Sequence, residues 1–164
     1  KNHKNMKAQE FIANLKTLTP PINVEKFDDA ENFNDELVNL VMNYDISEVD
    51  FGDIGFANEV LGDEESYEVG MFEEKFIIID RKSGEVRIED DDDEGTIIFS
   101  CAESSEKFID ALWIAVKYFS KQLNEELTET WLDECEAVAK QCAEVAGSED
   151  YFPFYQDFLN CYEN

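Results

Sequence analysis

Glu74-Lys75-Phe76-Ile77-Ile78-Ile79-Asp80-Arg81-Lys82-Ser83-Gly84-Glu85-Val86-Arg87-Ile88-Glu89 reads as two β-runs closed by a turn that carries Gly. In the first run Phe76 and Ile78 point to one side and Ile77 and Ile79 to the other, the pattern of a central strand with apolar contact on both faces. In the second, Val86 and Ile88 alternate with Glu85, Arg87 and Glu89, which predicts a half-exposed strand. The acidic run Asp90-Asp91-Asp92-Asp93-Glu94 then ends at Gly95, a third β-run covers Thr96 to Ser100, and Ser104-Ser105 opens a helix. That helix carries Phe108, Leu112, Ala115, Phe119 and Leu123 on one stripe, suited to covering a sheet.

Outward from this centre the period is helical. Ala8, Phe11, Ile12, Leu15 and Leu18 predict a helix over Lys4 to Leu18, stopped by Thr19-Pro20-Pro21. A second is predicted over Asp28 to Tyr44, with Asp28-Asp29 at the positive end of its dipole. From Asp45 to Gly70 the glycines at 52, 55, 62 and 70 punctuate short β-like pieces, Val49 to Ile54 and Tyr67 to Met71 among them. Towards the C-terminus, Trp131 to Ala146 reads as a helix ended by Gly147, and Tyr151-Phe152-Pro153-Phe154-Tyr155 leads a last helical piece. Helices, then strands, then helices predict an α+β fold: an antiparallel sheet of about four to six strands with helices before and after it. The chain is read as one domain over 1–164, with the sheet and its covering helix in 49–122 and a helical extension in 125–164.

Hydrophobic residues make up 43% of the 164 and Phe alone occurs 13 times, which is enough for a packed core. Forty Asp and Glu against 13 Lys and Arg give a formal net charge of -27. Such a field repels phosphate backbones and anionic membranes, so direct nucleic-acid and membrane binding are disfavoured and basic proteins or cations are the fitting partners. The apolar run Ala111 to Val116 is too short to span a bilayer. Met6 is a candidate start, and no apolar signal segment follows it.

Cysteines stand at 101, 135, 142 and 161 without a CxxC pair, and the single histidine is His3, so no zinc site is legible. Cys135 and Cys142 fall on one helix about 10 Å apart, too far to bond each other. A reduced, cytoplasmic protein is expected, with a pairing such as Cys142 to Cys161 left open.

Few residues look like catalysts. Beyond His3 no histidine can act as a base, and no G-x-S-x-G elbow is present. Gly52-Asp53-Ile54-Gly55 lacks the Lys of a phosphate loop and reads as a turn. Counting a calcium loop from Asp90 puts Asp92, Glu94 and Gly95 at fitting positions, but the bidentate Glu is replaced by Cys101 and the flanks are strands. The run is therefore a solvated loop and an electrostatic handle for a basic partner. No cofactor or metal is expected. Trp131 and the aromatics from Tyr151 to Tyr155 fit either a core or an exposed recognition surface.

Phe51-Gly52-Asp53-Ile54-Gly55, Phe76-Ile77-Ile78-Ile79-Asp80 with Ser83-Gly84-Glu85-Val86, and the passage from Ile97 through Ser104-Ser105 to Phe108 and Leu112 resemble the SUKH superfamily. Its members resemble fungal cell-wall-synthesis regulators, the bacterial Syd protein and many toxin-immunity proteins. The similarity covers roughly Val49 to Gln122; the N-terminal Trp and Leu-Pro elements and the Asn-Gly-Gly turn typical of the family are missing. The resemblance implies a non-catalytic α+β domain that binds another protein, in bacteria a toxin domain that is often a nuclease. Carboxylates at Asp63, Glu64 and Glu65 and from Asp90 through Asp91, Asp92 and Asp93 to Glu94 are the expected contact groups, mimicking phosphates on a basic surface. A general nucleic-acid mimic or adaptor, and a carboxylate-based metal-dependent enzyme, are the alternatives.

Overall fold

A computed structural model describes residues 4–93 and 95–163, and the expectations placed on His3 and Glu94 fall outside the described residues. The architecture is α+β. Helices α1 (Ala8–Leu15) and α2 (Glu36–Asn43) precede six strands: β1 (Asp50–Phe51), β2 (Ile54–Gly62), β3 (Ser66–Phe72), β4 (Lys75–Asp80), β5 (Val86–Glu89) and β6 (Ile97–Ala102). Helices α3 (Ser105–Asn124), α4 (Trp131–Ala146) and α5 (Phe152–Phe158) follow. The strands form one antiparallel sheet in sequence order, β1 to β6, so every strand pairs with its chain neighbour.

The register sorts side chains onto two faces. Ile54 pairs with Phe72, Ile77 with Ile88, and Ile88 with Phe99, so these share a face. On that side Phe154 of α5 meets Phe72 at 5.1 Å and Phe99 at 5.8 Å between ring centroids, and Phe11 of α1 meets Phe51 at 5.8 Å. The hydrophobic core therefore lies between this face and the helices. Strand β4 is central as its pattern predicts, but only Ile77 and Ile79 face the helical layer. Ile78, on the other side, is shielded within the sheet between its cross-strand partners Glu68 and Arg87, and Phe76 is half-buried.

Helix α2 is shorter than its period predicts. Asp35, not Asp28-Asp29, caps it, accepting from the Leu37 and Val38 N–H groups at 2.9 and 3.1 Å. Glu31 and Phe33 are held against the helix by two buried asparagines on it, Asn39 and Asn43, which satisfy their backbone groups. Asn39 accepts from Phe33 N–H and donates to Phe33 C=O, and Asn43 does the same with Glu31. Helix α1 likewise begins later than predicted, and Leu123, assigned to the covering stripe of α3, is 80% exposed because the helix outruns the core.

The C-terminal residues are part of the same core. Cys101, Phe108, Cys142, Phe154 and Tyr155 are all buried, and the Tyr155 hydroxyl donates to the Cys101 carbonyl at 2.7 Å. The aromatics at 151, 154 and 155 are thus core residues, while Trp131 and Phe152, of the same set, are half-buried and packed against that core. Gly147 ends α4 at φ +129°, as predicted.

Sequence expectation and structure differ at the cysteines. Cys135 is bonded to Cys161, with Cα atoms 5.5 Å apart, while Cys101 and Cys142 are free and buried. Helix α5 and the turn after it return the chain onto α4 at Cys135; Cys142, two helical turns further along, faces α3, where its sulfur lies 3.5 Å from the Ala111 carbonyl oxygen.

Gly70 gives a prediction from strand packing. A Cβ there would lie 2.5 Å from the Gly55 carbonyl oxygen and 3.0 Å from Phe56 Cα, backbone atoms of the adjacent strand that cannot rotate away. Gly70→Ala is expected to lower stability by about 1–3 kcal/mol. Gly55→Ala meets nothing within 4 Å and should fall within about 0.5 kcal/mol of wild type. Urea unfolding of both variants checks this, and equal midpoints would refute the close approach.

Candidate functional site

The side of the sheet turned away from the helices carries the candidate site. Met71 pairs with Phe76, Phe76 with Glu89, and Glu89 with Ile97, which sets an apolar and acidic row across four strands. Leu61 pairs with Glu68, and Glu68 with Ile78, giving a second row beside it. A groove of about 440 Å³ runs between the β2–β3 turn and the start of the β5–β6 loop, with Leu61, Asp63, Glu68, Phe76, Asp90 and Asp91 among its lining. No helix residue lines it.

The two acidic segments singled out in the sequence meet at this groove. Asp63 lies at one end and Asp90 and Asp91 at the other, with Glu68 and Glu89 between. Glu64 and Glu65 are exposed in the β2–β3 turn, and Asp92 and Asp93 in the loop before β6. Glu94 is outside the described residues. The signal missed in the sequence is the pair Glu68 and Glu89, which look like ordinary solvated strand positions until the register sets them on the same face.

Some of these carboxylates have local work. Asp63 Oδ1 accepts from the Glu65 and Ser66 N–H groups at 2.8 and 3.0 Å, which shapes the turn and, with a smaller contribution from Arg81, lowers its pKa. Asp90 accepts from Asp92 N–H at 2.9 Å, and Asp93 from the Thr96 hydroxyl at 2.8 Å. Glu64, Glu65 and Asp91 remain turned to solvent. Asp90, Asp91 and Asp92 hold one carboxylate oxygen each within 4.8 Å of one another, but β6, which carries Cys101, occupies the position where a calcium loop would supply its closing Glu.

Arg87 sits on the same face, held by Glu85 at 2.7 Å and Asp80 at 3.2 Å. The hydrogen bond to Glu85 is the chief cause of its raised pKa. Asp80 is held below the usual carboxylate range, first by the Lys82 N–H. Glu85 also accepts from Tyr151 at 3.1 Å, tying the start of the α5 segment to the sheet. Burial, and then this bond to a carboxylate, push the Tyr151 phenol from 10.0 up to about 12. A raised folded-state value supplies stability that is complete below pH 10.0 and is lost as pH climbs to about 12. Urea midpoints at about pH 9 and about pH 11.5 should therefore diverge, and Tyr151→Phe should narrow the gap. An unchanged gap in the variant would remove Tyr151 as the cause.

Ser105 is the nearest thing to an activated nucleophile, donating to Asp35 Oδ2 at 2.8 Å. It is buried, however, and the carboxylate is already capping α2, so the pair fastens α3 to α2. A depression of about 830 Å³ at the α4–α5 corner, between Lys140, Glu144, Ser148 and Phe152, holds no histidine or cysteine among its lining residues.

No helix of the described residues is long and apolar enough to cross a membrane. No family model, no curated protein and no solved structure matches the chain.

Proposed function

We propose that the protein is a non-catalytic acidic binding domain, most concretely a SUKH-like immunity protein that neutralises a basic toxin, a nuclease among the candidates. The observation that carries this is the meeting of Asp63, Glu68, Glu89, Asp90 and Asp91 around one groove on a sheet face that no helix residue lines. A basic active site presents a positive surface to its substrate, and a carboxylate-lined face on a net charge of -27 is steered toward such a surface. Steering of this kind raises association rates by roughly 10 to 10³ and weakens steeply with salt. A cytoplasmic setting belongs to this proposal, and there the Cys135 and Cys161 thiols would be held reduced by glutathione.

The test is co-purification with products of adjacent genes, followed by an activity assay of any basic protein recovered. The expected partner is one basic protein bound tightly and inhibited. Glu64→Gln, Glu65→Gln and Asp91→Asn together, which leave the turn-forming Asp63 and Asp90 in place, should slow association at least about tenfold at low salt. Loose capture of many unrelated DNA-binding proteins would instead favour a general nucleic-acid mimic, and recovery of no inhibited basic protein would count against the proposal.

A further inference from the structure

Both edges of the sheet are poorly suited to accepting another strand. Strand β6 shifts register twice against β5, opposite Val86/Arg87 and Ile88/Glu89, and such bulges interrupt the row of backbone groups a new strand needs. At the other edge β1 has two residues, and β2 loses its regular pairing with β3 between Phe56 and Leu61.

The open face is different. Leu61, Met71 and Ile97 are 54%, 39% and 46% exposed, and the register places all three on the side that also carries half-buried Phe76. Glu68, Glu89, Asp90 and Asp91 stand among and beside them. From Met71 on β3 to Ile97 on β6 three strand spacings give a strip about 14 Å wide, in which Glu89 stands between Phe76 and Ile97, and Leu61 lies one strand further out on β2. A helix with its side chains is about 10–12 Å across, so one helix fits such a strip. A second copy of the chain would bring another -27 against the same carboxylates and is disfavoured by its own charge.

We propose that this face docks an amphipathic cationic helix of a basic protein, its apolar side on Leu61, Met71, Phe76 and Ile97 and its Lys and Arg side chains against the surrounding carboxylates. This rests on the protein-binding function above and adds the geometry and chemistry of the partner element. The apolar side chains supply the anchors and the carboxylates the orientation.

The test uses the full chain and three labelled probes: a Leu/Lys peptide of about fourteen residues in helical period, a peptide of identical composition with Leu and Lys alternating, and polylysine. Fluorescence anisotropy at low and moderate salt reads affinity, and sedimentation reads self-association. The helical-period peptide is expected to bind at least about tenfold more tightly than the alternating one. Met71→Ser with Ile97→Ser, substitutions at exposed positions that leave the charge unchanged, should erase that preference while circular dichroism stays native. Tighter binding of the alternating peptide would show strand addition and overturn the proposal. So would equal binding of all three probes unaffected by the Ser variants, which leaves the charge-based function standing. A dimer abolished by Met71→Ser would identify a second copy as the occupant and also overturn it. Failure of every cationic probe to bind at low salt would reject this proposal and the acidic-binding function together.

Discussion

Phe154→Ala is expected to cost about 3–5 kcal/mol, the range for deleting a fully buried aromatic. Phe154 is at the centre of the aromatic cluster: its ring lies 4.9 Å from Tyr155, 5.1 Å from Phe72, 5.5 Å from Phe158 and 5.8 Å from Phe99. The ring is wholly buried, so truncation removes apolar contact and leaves a cavity walled by large rigid rings that cannot collapse into it. Against a typical domain stability of about 5–15 kcal/mol this loss is severe. Leu127→Ala, at a residue 65% exposed, should change stability by less than about 0.5 kcal/mol. Urea unfolding of the two variants measures the contrast; a Phe154→Ala midpoint near wild type would mean that α5 does not seal the sheet as described.

Loss of the Cys135–Cys161 bond is the second large effect. The bond spans 26 residues, and the loop-closure entropy it removes from the unfolded chain corresponds to about 3–4 kcal/mol. The oxidised protein should therefore unfold at a higher urea concentration than the same protein in dithiothreitol. Cys135→Ser should abolish that response, whereas Cys142→Ser should leave it intact, since Cys142 is a free buried thiol. Titration of thiols in the unfolded, non-reduced protein should find two, at Cys101 and Cys142. Four would show that the chain as isolated carries no bond, the state a cytoplasmic location favours.

The later part of the sheet is legible in the sequence, whereas Val49 to Ile54, read as one β-piece, turns at Gly52-Asp53 into the nine-residue β2. Alternation in Glu85 to Glu89, the Gly turn before it and the Ser cap of α3 are local signals, and β5, its turn and α3 follow them. What was not legible depended on distant partners. The chain before α2 carries helical spacing, yet Asn39 and Asn43 hold Phe33 and Glu31 in an irregular segment with a turn at Asp28-Asp29, and nothing in the spacing of Phe33 and Leu37 distinguishes the two outcomes. The partner of Cys161 depends on how α5 turns back, a tertiary property. At the candidate site Asp63 and Asp90 stood out as members of charge runs, but their meeting at one groove follows from strand order and register. Glu68 carries no signal in the sequence, because isolated carboxylates on strands are common, and Glu89, legible as an outward-facing residue beside the acidic run, is set near Glu68, Phe76 and Ile78 only by pairing.

The strictly sequential strand order has a consequence for biosynthesis. Each strand finds its partner in the segment just made, so hairpins from β1 to β6 can zip up in the order in which they leave the ribosome. The ring that closes over Phe72 and Phe99 belongs to α5, near the end of the chain. At about 5–20 residues per second, the nascent chain spends several seconds with its greasy inner surface unsealed between completion of β6 and arrival of Phe154. During that interval it is a substrate for chaperones, and a message truncated beyond α3 would leave Phe72 and Phe99 without the Phe154 ring that closes over them.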